Sequence, residues 1–291
     1  MNNILLVPAL TFSKEVDPEY ATEVPLWKTF GWSVVPWDVE QPEKLSALVK
    51  EGTSVYYRGW MLTEQQYKGL YTLVTSRQAI MTVTPDEYID NHHASRWLHR
   101  VKDYTSSFQV VPMSRLPEDL TLYPCFVKDD VKSANDANLP RPCLNWGDVQ
   151  LHIDALRRQG RLQASTDCLV ARTPILHEST EHRVFWVGGR PYAEQVALED
   201  SLLAELSSFR APTAPFTMDV VKTPHGWAIM DMGDGGVSGW KEWINDAAEA
   251  NQGMASSQRL RLLAAWTEWH IGRTIELEQL RNVSGNVPSI P

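Results

Sequence analysis

What most constrains this chain is the rhythm of residues 1–95, where short apolar runs alternate with segments of helical period. Ile4-Leu5-Leu6-Val7 is continuously apolar and reads as a buried strand. Trp32-Ser33-Val34-Val35 follows Gly31, Ser54-Val55-Tyr56-Tyr57 follows Gly52-Thr53, and Ile80-Met81-Thr82-Val83 supplies a fourth strand. Between them, Pro42–Lys50 reads as a helix with Leu45, Leu48 and Val49 on one face and a proline near its start. Thr63 is placed to cap a second helix, in which Tyr67, Leu70, Tyr71 and Val74 follow helical spacing. Strands and helices alternating at this pitch predict an open, mostly parallel α/β sheet.

From about residue 91 the texture changes. Asn91–Tyr104 reads as helical, Phe108–Val111 and Phe126–Lys128 as extended, and Trp146–Gln159 as a helix ended by Gly160. Short strands follow at Cys168–Ala171, Arg183–Val187, Tyr192–Val196, Thr217–Val221 and Trp227–Asp231, with Gly188-Gly189 as a hairpin turn. This half is predicted to be α+β with an antiparallel sheet. Residues 257–281 form a long amphipathic helix, whose Leu260, Leu263, Ala264, Ile271 and Ile275 are expected to pack back on the body. The predicted organisation is an α/β domain over 1–92, an α+β body over 93–250, and a C-terminal helix and tail over 251–291.

With 291 residues, 43% of them apolar, the chain is long enough for two lobes. Its net charge of −9, with no basic cluster free of neighbouring acids, argues against binding a phosphodiester backbone, so nucleic acid is not an expected partner. Cys125, Cys143 and Cys168 have neither disulfide-framework nor zinc spacing and read as reduced thiols in or near a core. The first apolar run, Ile4–Leu10, falls far short of the ~20 residues a membrane span needs. A cytoplasmic protein without a membrane partner is the expectation.

Three segments hold residues suited to chemistry. In Phe126-Val127-Lys128-Asp129-Asp130-Val131-Lys132-Ser133 an apolar strand delivers Lys128 at its end, with Lys132 and Ser133 in the loop beyond. A lysine so placed holds phosphate oxygens as a fixed point charge, although the same octapeptide also suits a solvated turn. In Glu181-His182-Arg183-Val184-Phe185-Trp186-Val187-Gly188-Gly189, Arg183 enters an apolar strand and requires a carboxylate or phosphate partner. Met218–Val221 and Ala228–Asp231 read as a hairpin that brings Asp219 near Asp231, with Asp234 beyond. Neighbouring carboxylates repel unless a cation lies between them, and magnesium favours one or two carboxylates plus nucleotide phosphates. The alternative is that one aspartate caps the Gly233–Gly236 loop. His92, His93, His99, His177 and His182 show no metal-ligand spacing, and no Walker loop, Gly-x-Gly-x-x-Gly fingerprint or Gly-x-Ser-x-Gly elbow is present.

Taken in order, these segments resemble the ATP-grasp superfamily. Glu181–Arg190 is similar to the Asp-x-Arg-Val-x-Val-x-Gly-Gly segment of the ribosomal-protein glutamate ligase and glutathione synthetase branch, and Met218–Gly235 to its acidic strand and metal segment. Tyr57-Arg58-Gly59-Trp60-Met61-Leu62, Tyr67, Thr84-Pro85-Asp86-Glu87-Tyr88 and Phe126–Ser133 together resemble an ATP-grasp clade of phages and bacteria. The resemblance spans roughly residues 1–245. It implies ATP and magnesium as cofactors, small-molecule or peptide carboxylate and amine substrates, and amide formation through an acyl phosphate; a homodimer is the commonest prior for such a chain.

By position, the resemblance implies that Lys128, Lys132 and Ser133 meet ATP phosphates. Backbone groups of Leu169, Val170, Ala171 and Arg172 would meet adenine, and Glu178 or Glu181 the ribose. It places Arg183 on the transferred phosphate, Arg58 on a substrate carboxylate, and Asp219 and Asp231 on magnesium. Asp231 stands where the family has Glu and Gly233 where it has the metal-binding Asn, with Asp234 as the expected replacement. The loop Lys132–Pro142 is the candidate lid, and Glu199–Pro215 the segment expected to shape the acceptor site. A phosphotransferase and a nucleotide-binding module without turnover remain the alternatives.

Overall fold

The computed structural model describes residues 2–10, 15–115, 118–162, 168–175, 177, 180–209, 211–240 and 254–285. Its first layer is a four-stranded sheet in the order β2-β1-β3-β4, formed by β1 (Asn2–Pro8), β2 (Ser33–Trp37), β3 (Thr53–Tyr57) and β4 (Ile80–Met81). All three pairings are parallel, and Leu5 sits between Val34 and Tyr56. Ile4–Val7 and Thr53–Tyr57 are buried throughout, as expected of strands covered on both faces.

The helices of this half are α1 (Pro18–Ala21), α2 (Val24–Thr29), α3 (Glu64–Ser76), α4 (Pro85–His92) and α5 (Ala94–Trp97). Thr63 caps α3 with a reciprocal box to Gln66, and Thr84 caps α4 with the same device to Glu87. Pro42–Ala47 winds as a 3-10 helix where a longer helix over 42–50 was expected. The fourth strand stops at Met81, two residues short of the expected end. The predicted helix over 91–104 is broken into α5 and two 3-10 turns, Leu98–Arg100 and Lys102–Tyr104. The break is tertiary: Ala94 N–H donates to the Asp130 carbonyl (2.6 Å), and Ser95 N–H and hydroxyl donate to the Asp130 carboxylate (2.6 Å each).

A three-stranded antiparallel sheet follows in the order β5-β7-β6, from β5 (Phe108–Pro112), β6 (Phe126–Lys128) and β7 (Cys168–Arg172). Helix α6 (Trp146–Arg158) covers it; Asn145 caps its start, and Gly160, at φ +67°, follows its end. The larger antiparallel sheet has the order β11-β10-β8-β9, from β8 (His182–Val187), β9 (Arg190–Tyr192), β10 (Phe216–Thr223) and β11 (Gly226–Asp234). Gly188 (φ +59°) and Gly189 (φ +78°) make the β8–β9 turn, the conformation a tight hairpin demands. Tyr192–Val196 was expected to be a strand. The strand ends at Tyr192 and helix α7 (Val196–Glu205) begins at Val196, burying Leu198 and Leu202.

Three apolar clusters hold these layers. The first joins the parallel sheet to Trp27, Phe185, Val187 and Trp240. The second lies between the larger antiparallel sheet, α5 and α7, with Trp97, Val184, Trp186, Leu202, Phe216 and Met218. The third lies between the small sheet and α6. Cys125 and Cys143 are buried free thiols in that third cluster, as expected for two of the three cysteines.

The long C-terminal helix, α8 (Met254–Gly285), packs on the first cluster through Leu262, Leu263 and Trp266. The expected face is largely wrong, for Leu260, Ile271 and Ile275 are exposed and of that set only Leu263 is fully buried. The buried stripe continues through polar residues: His270 meets Ser54 (2.8 Å) and Thr82 (3.0 Å), and Thr274 meets Ser54 (2.5 Å). Counting apolar residues alone cannot find a face completed by hydrogen bonds.

Candidate active site

The site grows from the register of the larger sheet. Arg183 on β8 lies opposite Asp219 on β10, and Asp219 opposite Asp231 on β11, so the three side chains share one face. Two residues along, Thr217 lies opposite Gly233 on that face. Pairing shifts between Asp219 and Val220, leaving Met230 as the extra residue of a bulge immediately before Asp231. Bulges bend a strand and re-aim its side chains, and Arg172 holds this one by donating to the Met230 carbonyl and to the Ile229 carbonyl (3.1 Å).

Strand β6 brings Lys128 against this face. Its Nζ donates to Asp231 Oδ1 (3.0 Å) and to the Val131 carbonyl (3.2 Å), and lies 5.5 Å from the centre of the Trp97 ring. Beyond it the chain turns on Asp129, whose Oδ1 accepts from Val131 N–H (2.7 Å) and Lys132 N–H (2.6 Å). Arg161 fastens that turn from outside, donating to Asp129 Oδ2 (2.6 Å) and to the carbonyls of Lys132 (2.9 Å) and Ser133 (2.8 Å). The candidate lid is therefore anchored at its start to the segment just beyond α6.

Lys132, Arg183, Asp219 and Asp231 line one cavity of about 130 Å³, together with His92, Thr217, Gly233 and Ser238. Lys128 touches it through Asp231. Arg183 grips Asp219 in a fork, Nε to Oδ1 (2.7 Å) and Nη2 to Oδ2 (2.6 Å). Burial opposes its charge, yet the Asp219 carboxylate holds the guanidinium above its ordinary value, with Glu181 adding to the effect.

Two of the expected site residues lie elsewhere. Arg58 does not open on the cleft: it is 1% exposed, and its guanidinium is spent on Glu23 (2.9 and 2.7 Å) and on the carbonyls of Gly236 (2.9 Å) and Ser238 (2.8 Å). Asp234 does not join the metal pair. It is 3% exposed, accepts from Gly236 N–H (2.8 Å), and is raised to about 7 by burial. The sequence alternative, an aspartate capping the Gly233–Gly236 loop, describes Asp234 correctly.

Ser133 is exposed and is not among the residues lining the cavity. Leu169, Val170 and Ala171 are buried in β7; Val170 and Ala171 are paired with both β5 and β6, and Leu169 with β5. Arg172 is a strut between the two antiparallel sheets, reaching Thr105 as well as the bulge. Glu178 lies outside the described residues; Glu181 is exposed just before β8.

Sequence reasoning missed His92, Thr217 and Ser238. His92 is 7% exposed, stacks on Tyr88 one turn earlier, and is lowered to about 3 by burial, with His93, Lys132 and Lys128 adding repulsion. Tyr88 and His92 stand at helical i, i+4 spacing, but nothing local marks that face as a cavity wall. A Cβ on Gly233 would come 2.9 Å from Ser238 Oγ and 3.3 Å from Thr217 Oγ1, so any side chain there requires a shift. The two hydroxyls, 2.6 Å apart, occupy that corner.

Asp219 and Asp231 fit a hard cation: a pair of oxygen donors in register beside basic groups, which magnesium would complete with phosphate oxygens. Among the described residues no three His, Cys, Asp or Glu side chains are grouped to hold a metal unaided.

An antiparallel sheet carrying acids and an arginine on one face, a second small sheet delivering lysine, and a parallel N-terminal layer together define an ATP-grasp protein. This chain belongs to the family described as ATP-grasp domain, R-two-K clade family 3, whose model matches residues 91–254, more than half its length. Solved structures agree on the fold. D-alanine–D-alanine ligase from Bacillus anthracis covers 97% of this chain and 99% of its own at a TM-score of 0.59 and 9% identity. The corresponding ligase from Coxiella burnetii gives 0.59 at 10% identity, covering 97% of each chain. A RimK-domain ATP-grasp protein from Sphaerobacter thermophilus gives 0.53 at 12% identity, with 92% of this chain and 99% of that one covered. No curated protein matches the chain. Among the described residues no helix is long and apolar enough to cross a membrane.

Proposed function

We propose that this chain spends ATP to activate a carboxylate and joins it to an amine, releasing ADP and phosphate. The observation that carries the reading is the convergence of Lys132, Arg183, Asp219 and Asp231 on one cavity, with Lys128 bound to Asp231. The fold is shared with solved ligases, one of them, D-alanine–D-alanine ligase from Bacillus anthracis, complexed with ATP (TM-score 0.56, 8% identity, covering 97% of this chain and all of that one). Residues 1–92 act in this reading as the lobe preceding the ATP-grasp body of 93–250, with 251–291 as the C-terminal helix and tail.

The residues divide the work as follows. Lys128 and Lys132 neutralise phosphate oxygens, and Lys128 exchanges its carboxylate partner for phosphate when nucleotide enters. Arg183 follows, turning part of its fork toward the transferred phosphoryl group, where a bidentate guanidinium matches the geometry. Asp219 and Asp231, freed from these cations, would hold magnesium, which would supply positive charge against the phosphates. The substrate carboxylate attacks the terminal phosphorus, giving an acyl phosphate; the amine then displaces phosphate from the acyl carbon. The protein contributes position and charge, with no covalent step of its own.

The test is incubation with ATP, magnesium and pools of amino acids, following ADP, phosphate and new masses. ADP with phosphate and a condensed product supports the ligase. ADP with a phosphorylated acceptor supports a phosphotransferase, and nucleotide binding without turnover supports the non-catalytic module that Gly233 would allow. Lys128→Ala should weaken nucleotide binding by about tenfold, the order of one charge-assisted hydrogen bond. Asp231→Asn should cut turnover by about 10²-fold while changing nucleotide affinity far less. Wild-type behaviour in both variants would displace the site.

A further inference from the structure

Cys125 and Cys143 lie outside the cavity, yet they flank segment 126–142, which carries Lys128 and Lys132, and they face one another. They form an isolated antiparallel bridge. Cys125 N–H donates to the Cys143 carbonyl (3.0 Å) and Cys143 N–H to the Cys125 carbonyl (2.7 Å). A pair exchanging both hydrogen bonds holds its Cα atoms about 5.5 Å apart, inside the span that a disulfide bridges.

Both residues are fully buried, and each thiol acts on the other: Cys143 lowers Cys125, while Cys125 and burial together raise Cys143. The Cys143 thiol donates to the Pro140 carbonyl (3.8 Å), the same oxygen that meets His152, which is on α6 and 1% exposed, with its Nδ1 buried and unpartnered among the described residues. His152 Nε2 donates to the Pro140 carbonyl (2.9 Å), so in that tautomer Nδ1 is an unprotonated acceptor.

We propose that Cys125 and Cys143 are an oxidative modification site, a dithiol that peroxide converts to a disulfide across the base of the lysine-bearing segment. The Cys125 sulfur, as thiolate, attacks one peroxide oxygen. The O–O bond breaks, the departing hydroxide takes up the proton that the Cys125 thiol released and leaves as water, and Cys125 becomes a sulfenic acid. The Cys143 sulfur then attacks the Cys125 sulfur, its proton passing to His152 Nδ1. The S–O bond breaks and the hydroxyl leaves as a second water, taking that proton back. Two thiols and one peroxide thus yield one disulfide and two waters. A small oxidant suits sulfurs buried this deeply, and backbone bonds already hold the strands in register.

The bond would fasten both ends of the segment independently of its inner anchors, the Asp129 turn and Arg161. The site stands whether or not the chain is a ligase.

The test uses the full chain treated with hydrogen peroxide, then alkylated under denaturing conditions and mapped by mass spectrometry. The expected result is a Cys125–Cys143 cross-linked peptide two hydrogens lighter than the dithiol, reversed by dithiothreitol, with a higher Tm for the oxidised protein. Cys143→Ser should stop at a sulfenic acid on Cys125 that dimedone traps, and His152→Gln should slow cross-linking several-fold. Full alkylation of both cysteines after peroxide, or a bond mapped to Cys168 instead, would overturn the proposal. An unchanged cross-linking rate in His152→Gln, with native Tm, would remove the histidine from it.

Discussion

Two arginine–carboxylate forks hold the same turn from different sides, and they differ in one respect that decides their roles. Arg58 grips Glu23 and donates to the carbonyls of Gly236 and Ser238; Arg183 grips Asp219 and donates to the carbonyl of Gly239 (3.2 Å). The geometries are nearly the same. The Arg58 pair is 1% and 6% exposed, sealed between Tyr20 and Trp240, each 5.4 Å from the guanidinium. The Arg183 pair is 24% and 11% exposed and opens on the cavity. A sealed fork has no alternative partner and can only be a strut. An open one can exchange its carboxylate for an incoming phosphate.

The largest test of this contrast is Arg58→Met, which leaves Glu23 buried without its cation. Breaking a buried pair on one side costs about 3–5 kcal/mol, so chemical denaturation should show a loss of that order. A loss below about 1 kcal/mol would make the two forks equivalent. Arg183→Met should invert the pattern. Turnover should fall by about 10²–10³-fold, the scale for losing a donor to a developing charge, while the unfolding midpoint moves much less than for Arg58→Met. Equal stability losses in the two variants would break the distinction.

A third test concerns Asp234, beneath the same turn. Burial raises it from 3.8 to about 7, so the folded protein keeps a proton that the unfolded chain has released between those values. Stability therefore falls as pH rises from about 4 to about 7, by at most about 4 kcal/mol, and is level above. Asp234→Asn should flatten that slope in denaturant titrations across this range. An unchanged slope would assign it to another group.

The local order of the site was legible because each contributing segment carries its own signal. Apolar strands announce themselves, Gly188-Gly189 names its hairpin, and charged residues in apolar strands need partners. Arg183, Asp219 and Asp231 were found this way, since alternation along paired strands puts them on one face. Arg58 and Asp234, whose ligand roles were carried over from the resemblance, are held by partners within the protein. Both are charged residues at the end of an apolar strand, and the pattern cannot say whether the partner is a ligand or the protein itself. Glu23 lies 35 residues from Arg58 in the chain, and no local rule links them. The kinked passage after His92 was equally hidden, because Asp130, far along the chain, claims the donors of Ala94 and Ser95.

The sequence by itself determined the layers of this protein, the identity of its turns, and the ordered set of lysines, arginine and acids that marks an ATP-grasp chain. These depend on short-range periodicity and backbone preference, which act within a few residues. Tertiary structure alone decided which charges are struts and which face the cavity, and which stripe of α8 is buried. Those outcomes depend on desolvation, and how far a side chain is removed from water is set by segments remote in the chain.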